Sequence, residues 1–241
     1  PPNEGEVVMP RRRSLKRGTP VTSNGVLRYE VLSADSANNK WYNIAPKAAY
    51  DATLAMTAGD WPDFDGVGDF GHTGTLNSKP ITEDMTDYTL EAWVNFDAIT
   101  SGDRVIFMSN ATFQDAISLL VDDGSDELWA RVRNSTNTAS VNVKGATSIT
   151  TGSWNHLVMS ADSTSGMCIV YLNGHPDGGG PYTAPLAGDY GCFICSAWDP
   201  PSGNNGGQIV NGKCNNVRVY NKALSVDEVA RNYYAGKAVH T

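Results

Sequence analysis

The sequence predicts an all-β domain made of two antiparallel sheets packed face to face, with one short helix near the C-terminus. Many short runs of β-branched and aromatic residues alternate with turns, and 24 glycines and 12 prolines are spread over the 241 residues. Apolar residues at helical spacing occur in one stretch only, close to the end of the chain. No internal repeat is visible, and a single all-β sandwich of this length is common.

The composition indicates a folded protein without a membrane-inserted segment. Hydrophobic residues make up 40% of the chain and charged residues 18%, which is too apolar for a disordered protein. No apolar run approaches the length of a membrane span. The chain is long enough to bury a substantial core without help from metals or disulfides.

Residues 1–24 are predicted to form an extended basic arm in front of the domain. The basic side chains of this arm are Arg11, Arg12, Arg13, Lys16 and Arg17. Residues 1–18 carry a net charge of +3, whereas the whole chain carries −8. Such an arm can remain solvated, bind nucleic acid, or dock onto an acidic surface. Because the rest of the chain is acidic, we expect the arm to bind neighbouring copies or another structural protein. The net negative charge of the whole chain disfavours nucleic acid as a partner.

The strands are predicted in order from the patterns of apolar residues. The early strands lie at residues 26–32, 41–44 and 52–54, and a longer strand covers residues 87–96. This longer strand is apolar on both faces, so both faces require cover. Later strands are predicted at residues 104–108, 116–121, 127–132, 140–143, 152–159 and 167–174. The pair Asn173-Gly174 is the signal of a type I′ hairpin turn.

The C-terminal stretch changes period from strand to helix. Residues 214–221 alternate as a half-buried strand does. Ser225 and Glu228 then form a capping-box pattern, which predicts the start of a helix of about three turns. Gly236 is predicted to close this helix in a left-handed conformation.

Several segments resemble the laminin-G-like domains of the concanavalin A-like lectin/glucanase superfamily. In chain order these segments read FDGVGDF from residue 64, YTLEAWV from residue 88, GSWNHLVM from residue 152, VYLNG from residue 170 and VRVYNKALS from residue 217. The resemblance spans about residues 26–236 and implies a jelly-roll sandwich over residues 25–241. It departs from the family pattern at Ala45-Pro46-Lys47, where Ser-Gly and Asn-Gly pairs are usual.

The resemblance implies calcium as the candidate cofactor, because many members of the family carry it. Calcium takes six to eight oxygen ligands, mainly from carboxylates, backbone carbonyls and water. One acidic loop contains Asp63, Asp65 and Asp69, and a second contains Asp122, Asp123 and Asp126. We expect the first loop to be the metal site, since it lies in a family motif. The second loop is also compatible with a solvated hairpin tip.

A glycan site would combine aromatic rings with polar groups on exposed loops. Trp41, Trp93 and Trp154 fall in fold motifs and are expected in the core. Trp198 precedes a polar loop, and with Asn204 and Asn205 of that loop it is the first candidate for ligand contact. Tyr182 in an earlier loop is the second candidate. The alternative is that these aromatic residues pack loops or subunit contacts.

The sequence contains no pattern that predicts a catalytic site. Laminarinase-type glucanases on this fold place their paired carboxylates on one strand as E-x-D-x-x-E, which is absent from the chain. Carboxylates that converge from different strands remain an alternative. His156 lies in a strand motif and is expected to be structural. We therefore expect no catalytic residue and no enzymatic activity.

The four cysteines are Cys168, Cys192, Cys195 and Cys214. Cys168 and Cys214 each lie within a strand-like run, where a buried free thiol is the favoured interpretation. Cys192 and Cys195 have the two-residue gap of zinc or redox pairs. A disulfide and a metal site therefore remain alternatives.

Three functional hypotheses follow from these observations. The first is a non-catalytic module on an extracellular or virion surface, of the virion decoration or adhesin type, docked through its arm and binding glycans. The second is a free calcium-dependent lectin. The third is a glycoside hydrolase on the same fold. The fold alone does not separate them.

Overall fold

The computed structural model describes twelve segments of the chain. These segments are residues 25–29, 34–35, 40–41, 52–55, 63–66, 69–73, 85–99, 102–109, 117–133, 139–183, 193–196 and 208–240. The predicted basic arm, Trp198, Asn204 and Asn205 lie outside the described residues, as does Cys192. Within the described part of the chain, no helix is long and apolar enough to cross a membrane.

Sixteen strands and one helix are described. In chain order they are β1 (Gly25–Tyr29), β2 (Ala34–Asp35), β3 (Lys40–Trp41), β4 (Ala52–Ala55), β5 (Asp63–Asp65), β6 (Phe70–Thr73), β7 (Tyr88–Ala98), β8 (Arg104–Met108), β9 (Ile117–Val121), β10 (Glu127–Arg133), β11 (Ala139–Ser148), β12 (Trp154–Asp162), β13 (Met167–Leu172), β14 (His175–Pro181), β15 (Phe193–Ile194), β16 (Asn211–Tyr220) and α1 (Val226–Lys237). The predicted all-β class with a short C-terminal helix is confirmed.

The described strands form two antiparallel sheets. The first sheet has the order β1-β16-β7-β12-β13-β14, and β5 also pairs with β16. The second sheet has the order β11-β10-β9-β8-β15-β6-β4-β3-β2. Neighbouring strands are often distant in sequence, as in the pairing of β1 with β16. This crossing topology is that of the predicted jelly-roll sandwich.

The main core lies between the two sheets. Leu90, Ala92, Val94 and Phe96 of β7 alternate onto this inner face and are at most 1% exposed. The second sheet supplies a facing layer from β9, β10 and β11, also at alternate positions. Burial of a Val, Leu, Ile or Phe side chain contributes roughly 1.5–3 kcal/mol relative to exposure, and it drives the packing of the two sheets.

The opposite face of β7 is covered by the C-terminal helix. Trp93 is 1% exposed, and its ring stacks on Tyr233 of α1 at a centroid distance of 5.7 Å. His240, just beyond the helix, stacks on the same ring at 4.3 Å. The second face of this apolar strand is therefore buried beneath α1, as its pattern requires.

The predicted capping box at the start of α1 is confirmed. The Oγ atom of Ser225 accepts from the backbone N of Glu228 at 3.4 Å, and Oε2 of Glu228 accepts from the backbone N of Ser225 at 3.0 Å. The predicted left-handed cap at Gly236 is wrong. The helix continues to Lys237 and ends at Ala238 in a right-handed conformation. Gly236 instead lies against the Trp93 ring, where an added Cβ would come 2.6 Å from Nε1.

The described cysteines are free thiols inside the protein. None of the three, Cys168, Cys195 and Cys214, forms a disulfide, and each is 0% exposed. All three belong to the main core between the sheets. The favoured interpretation of buried free thiols is thus confirmed for Cys168 and Cys214.

Candidate functional site

The outer face of β10 and β11 carries polar and aromatic side chains instead of core residues. In β10, Leu128, Ala130 and Val132 point into the core, so Trp129 and Arg131 point outward. In β11, Lys144 is paired directly opposite Trp129. We define the Trp129 surface as Trp129, Asn142 and Lys144 together with Arg131, which is only 5% exposed.

The indole of Trp129 is held in place by three contacts. Its Nε1 donates to Oδ1 of Asn142 at 2.6 Å. The guanidinium carbon of Arg131 and the Nζ atom of Lys144 each lie 4.7 Å from a ring centroid of Trp129. Cations at this distance interact favourably with an aromatic face. The ring also packs against a small buried apolar cluster of the same sheet and is only partly exposed, so its open part is limited to what these neighbours leave uncovered.

A group of three carboxylates borders the Trp129 surface. Oxygen atoms of Asp103, Asp122 and Asp123 all lie within 4.8 Å of one another. Asp103 directly precedes β8 and the other two follow β9, so the antiparallel pairing of these strands brings the three together. Nζ of Lys144 lies 2.7 Å from Oδ1 of Asp122, and Nη1 of Arg131 lies 3.9 Å from Oδ2 of Asp103.

The acidic group has an uneven electrostatic environment. Burial raises the pKa of Asp103, and the nearby charges of Asp122 and Asp123 raise it further, against the opposing effect of Arg131. The hydrogen bond from Lys144 lowers the pKa of Asp122, as do its bonds from Ser125. A bound cation would relieve the repulsion at Asp103, but it would compete with Lys144 for Asp122. An ion can therefore bind to this group only if it displaces the Nζ atom of Lys144 from Asp122 or binds the carboxylate together with it.

The acidic group lies beside the end of the polar loop that carries Trp198. The backbone N of Val105 donates to the carbonyl of Gln208 at 3.2 Å, and Nη1 of Arg104 donates to the carbonyl of Ile209 at 3.2 Å. These bonds fix the chain immediately after residues 197–207 at the start of β8. Asp103 is the residue directly before that strand.

Of the predicted metal residues Asp63, Asp65 and Asp69, the last two accept hydrogen bonds from each other's backbone amides. Oδ1 of Asp65 accepts from the backbone N of Asp69 at 3.2 Å, and Oδ2 of Asp69 accepts from the backbone N of Asp65 at 3.1 Å. Asp69 is 5% exposed, whereas Asp63 and Asp65 face solvent. Among the described residues, the acidic group at Asp103 is the one in which three carboxylates converge.

Tyr182, the second candidate for ligand contact, is a packing residue. It is 3% exposed, its hydroxyl donates to the carbonyl of Thr86 at 2.7 Å, and its ring packs edge-on against Tyr88 at 5.9 Å. A ring enclosed in this way offers no exposed face to a sugar. The alternative expectation of loop packing applies to it, and Trp198, Asn204 and Asn205 lie outside the described residues.

Glu91 is a buried ionisable residue that the sequence motifs did not single out. Oε1 accepts from Nη1 of Arg218 at 2.6 Å, and Oε2 accepts from Nδ2 of Asn232 at 2.6 Å and from the hydroxyl of Tyr220 at 3.2 Å. Burial alone would raise the pKa of Glu91, but Arg218, His156 and Asn232 together lower it to about 2. Since Glu91 is 1% exposed, it is enclosed beneath α1 and does not face a substrate.

The comparison with protein families identifies the fold family. The laminin-G-like model of the concanavalin A-like lectin/glucanase superfamily matches residues 69–230, which is more than half of the chain. This chain belongs to the concanavalin A-like lectin/glucanase superfamily. The matched residues include β7, the Trp129 surface and the acidic group. No curated protein is significantly similar to the chain in sequence.

Solved structures with the same superfamily fold have low sequence identity to this chain. A proposed carbohydrate-binding protein from Bacteroides ovatus is 19% identical with a TM-score of 0.52, covering 64% of this chain and 43% of its own. A Trypanosoma rangeli sialidase is 18% identical with a TM-score of 0.60, covering 91% of this chain and 34% of its own. The binding domain of botulinum neurotoxin serotype D is 11% identical with a TM-score of 0.61, covering 88% and 52%. The chain thus spans about half or less of each structure, and the likeness shows the fold.

Proposed function

We propose that this chain is a non-catalytic carbohydrate-binding module displayed on an extracellular or virion surface. The observation that carries the proposal is the Trp129 surface, where a partly exposed indole is fixed by Asn142 and flanked by charged groups. A sugar ring presents an apolar face of C–H groups and a rim of hydroxyls. The indole can stack on the C–H face of the sugar, and the side chains of Asn142, Lys144 and Asp122 can form hydrogen bonds with its hydroxyls.

The polar loop at residues 197–207 is proposed as the second wall of the same site. Its following residues, Gln208 and Ile209, are hydrogen-bonded at the start of β8 beside the acidic group. Trp198, Asn204 and Asn205 then supply a second ring and two amides. We propose these three as ligand-binding residues because of their residue types and because the residues that follow the loop are hydrogen-bonded beside the acidic group.

The experiment is glycan-array screening of the full chain, followed by affinity measurement on one hit with Trp129→Ala and Trp198→Ala. Met167→Ala is the matched control, because Met167 is 40% exposed and lies in β13 of the first sheet. We expect a loss of at least ~10-fold for Trp129→Ala, which corresponds to about 1.4 kcal/mol. Unchanged affinity in Trp129→Ala would refute the Trp129 surface as the site, and a loss confined to Trp198→Ala would move the site to the loop.

Calcium is proposed as the cation of the acidic group. Asp103, Asp122 and Asp123 offer three carboxylates, and calcium completes its six to eight oxygen ligands with backbone groups and water. When bound, calcium would supply positive charge for sugar hydroxyls and hold the two loops together. The acidic group is preferred here to Asp63, Asp65 and Asp69 because its three carboxylates converge within 4.8 Å of one another. Hydrogen bonds to backbone amides do not separate the two groups, since carboxylates in both accept them.

The basic arm is proposed as the docking device of the module. Its net positive charge opposes the acidic remainder of the chain, so it suits an acidic surface on a neighbouring copy or on another structural protein. Oligomeric state is measured for the full chain and for a chain lacking residues 1–24, at moderate and at high salt. Assembly of the full chain alone, weakened by salt, supports docking by the arm. Equal behaviour of both chains under all conditions would remove this part of the proposal.

Glycoside hydrolysis is the second candidate function. Carboxylate oxygens of Asp103 and Asp122 lie within 4.8 Å of each other. The pKa of Asp103 is raised and that of Asp122 is lowered, as expected for a general acid and its partner carboxylate. Lys144 is bound to Asp122, however, which leaves that carboxylate poorly placed to act as a nucleophile. Turnover of a bound polysaccharide that Asp103→Asn abolishes would favour the hydrolase.

A further inference from the structure

The basic arm joins the domain at one end of the first sheet. Gly25, the first residue of β1, is paired with Tyr220 at the end of β16, and Tyr220 is paired with Thr89 of β7. Thr89 is in turn paired with Ser160 of β12. Because these strands are antiparallel, the residues before Gly25, before Thr89 and after Ser160 all continue past the same end of the sheet. We call this end the arm end.

Three carboxylates lie at the arm end. Asp87 directly precedes β7, Asp162 is the last residue of β12, and Asp227 is in the first turn of α1. The start of α1 is held at this end, because the backbone N of Leu224 donates to Oγ1 of Thr89 at 2.9 Å. In the part of the chain that the structure describes, none of the three carboxylates forms a salt bridge.

Exposed apolar side chains accompany these carboxylates. Val226 and Met167 are large hydrophobic residues that are 47% and 40% exposed. Val226 is the first residue of α1, next to Asp227, and Met167 begins β13, where it is paired with Asp162. We define the arm-end surface as Asp87, Asp162, Met167, Val226 and Asp227. Such a surface suits a partner that carries both apolar and basic side chains.

The basic arm has this composition. Besides its five basic residues, its larger apolar residues are Val7, Val8, Met9 and Leu15. Residues 1–18 carry a net charge of +3, and each of the three carboxylates of the arm-end surface carries one negative charge when ionised. Arg17 precedes Gly25 by about eight residues, which span roughly 26 Å when extended. The arm is therefore long enough to place its basic residues on a surface at this end.

We propose that the arm-end surface binds residues 1–24 of a second copy, and that two copies exchange their arms reciprocally. The direction of β1 carries the chain past the end of the sheet, so an arm that continues in line with β1 leaves its own domain and meets a copy placed end to end. Because the arm and its acceptor lie at the same end, a twofold axis between two copies satisfies both arms at once. The product is a closed dimer. This inference rests on the proposed docking by the arm and names the surface that receives it.

The acidic group on the second sheet is a less suitable acceptor. Nζ of Lys144 lies 2.7 Å from Oδ1 of Asp122, and Nη1 of Arg131 lies 3.9 Å from Oδ2 of Asp103. A basic arm would have to compete with these cations for the carboxylates. At the arm end it meets carboxylates that have no such partner among the described residues.

The opposite end of α1 is also apolar in part, but its charge does not suit the arm. Tyr234 and Val239 are 60% and 58% exposed. Lys237 lies between them in the sequence, and Arg231 is exposed on the same helix. These cations repel a basic segment, so this end of α1 provides control positions for the experiment.

The first test maps the contact in the full chain by cross-linking. Dilute copies labelled with nitrogen-15 are mixed with unlabelled copies and concentrated, and a carbodiimide then activates carboxylates for attack by neighbouring lysine amines. Mass spectrometry of the linked peptides identifies both residues and shows whether they come from different copies. We expect Lys16 to be linked to Asp87, Asp162 or Asp227 in peptides that combine the two labels. Links within one copy only, links of Lys16 to other carboxylates, or no link from Lys16 would overturn the inference.

The second test measures self-association of the full chain by sedimentation equilibrium. We expect a dimer, and Asp227→Lys should weaken it at least ~10-fold, because a cation then faces the basic arm. Asp97→Lys is the matched control, since Asp97 is exposed near the opposite end of β7 and the change in net charge is the same. Val226→Ser should also weaken the dimer, whereas Tyr234→Ser should leave it unchanged.

These measurements separate this inference from the docking on which it rests. If the full chain and the chain lacking residues 1–24 have the same oligomeric state, the arm does not dock and both proposals fail. If only the full chain associates, but Asp227→Lys and Asp97→Lys have equal effects, the arm docks on another surface and only this inference fails. Species larger than a dimer would exclude reciprocal exchange.

Discussion

The carboxylate of Glu91 and the guanidinium of Arg218 form a buried ion pair, with Oε1 2.6 Å from Nη1. Glu91 is in β7 and Arg218 in the neighbouring β16, where the two residues are paired directly across the sheet. Nδ2 of Asn232 joins the pair from α1, and Nε2 of His156 lies 3.3 Å from Oε1. One carboxylate thus links three strands of the first sheet to the helix that covers them.

Glu91→Gln is expected to destabilise the domain by about 3–5 kcal/mol. The substitution keeps the shape of the side chain but leaves Arg218 charged and buried without its counter-ion, which is the costly way to break a buried pair. Equilibrium urea denaturation measures the loss. Glu228→Gln is the control, because its partner Lys222 is substantially exposed and such a pair is worth at most about 1 kcal/mol. Equal losses in the two variants would contradict the central role of Glu91.

The stability of the domain is expected to fall steeply at acid pH because of Glu91. Its pKa is lowered from 4.5 to about 2 in the folded protein, so its contribution is present above pH 4.5 and is lost as the pH falls toward 2. The size of the effect is about 3 kcal/mol. Denaturation curves between about pH 5 and pH 2 should fall more steeply for the parent chain than for Glu91→Gln. Parallel curves would show that other groups govern the acid transition.

Gly236→Ala is expected to loosen α1 from the sheet, although alanine is the better helix former. The gain in helix propensity is about 1 kcal/mol. The new Cβ, however, would meet Nε1, Cε2 and Cζ2 of Trp93 at 2.6–2.8 Å, and that ring is buried and held by stacking on both Tyr233 and His240. Overpacking of this kind costs roughly 1–3 kcal/mol, so the net effect should be destabilising.

Thermal unfolding together with near-ultraviolet circular dichroism of the tryptophans measures the effect at Gly236. Gly124→Ala is the control, since the nearest atom to its added Cβ is 3.5 Å away, at an Asp122 carboxylate. A more stable Gly236→Ala protein would mean that Trp93 can move aside.

Calcium is expected to raise the melting temperature of the parent chain, and Asp103→Asn should abolish the rise. Neutralising Asp103 removes one of the three converging carboxylates, whereas Asp63→Asn leaves the acidic group intact. Differential scanning calorimetry with calcium, magnesium or a chelator provides the measurement. A rise that survives Asp103→Asn and disappears in Asp63→Asn would place the ion in the loop that contains Asp65 and Asp69.

Local patterns in the sequence predict the elements of the fold well. The capping box at Ser225 and Glu228 and the hairpin at Asn173-Gly174 depend on residues close together in the chain. In the structure the second pair has φ values of 52° and 81°, the positive values that a type I′ turn requires. The apolar alternation of β7 likewise predicts its inner face, because the side-chain period of a strand is fixed.

The candidate site was only partly predictable, since its residues converge from separate strands. The acidic stretch at Asp122 and Asp123 was visible in the sequence, but Asp103 joins it only through the pairing of β8 with β9. Trp129 was not assigned to the core, yet nothing local indicated Asn142 as its partner. Gly236 was misassigned because its role depends on Trp93, more than a hundred residues earlier.

The position of β16 in the first sheet determines when this sheet can be completed during synthesis of the chain. β16 lies between β1 and β7, so residue 25 pairs with residue 220, and β7 has a partner on one side only until residues 211–220 have been made. During that interval an eleven-residue strand that is apolar on both faces has an open edge and an uncompensated Glu91. Such an edge recruits other strands readily. We therefore expect incomplete chains that end before residue 211 to aggregate more readily than the complete domain.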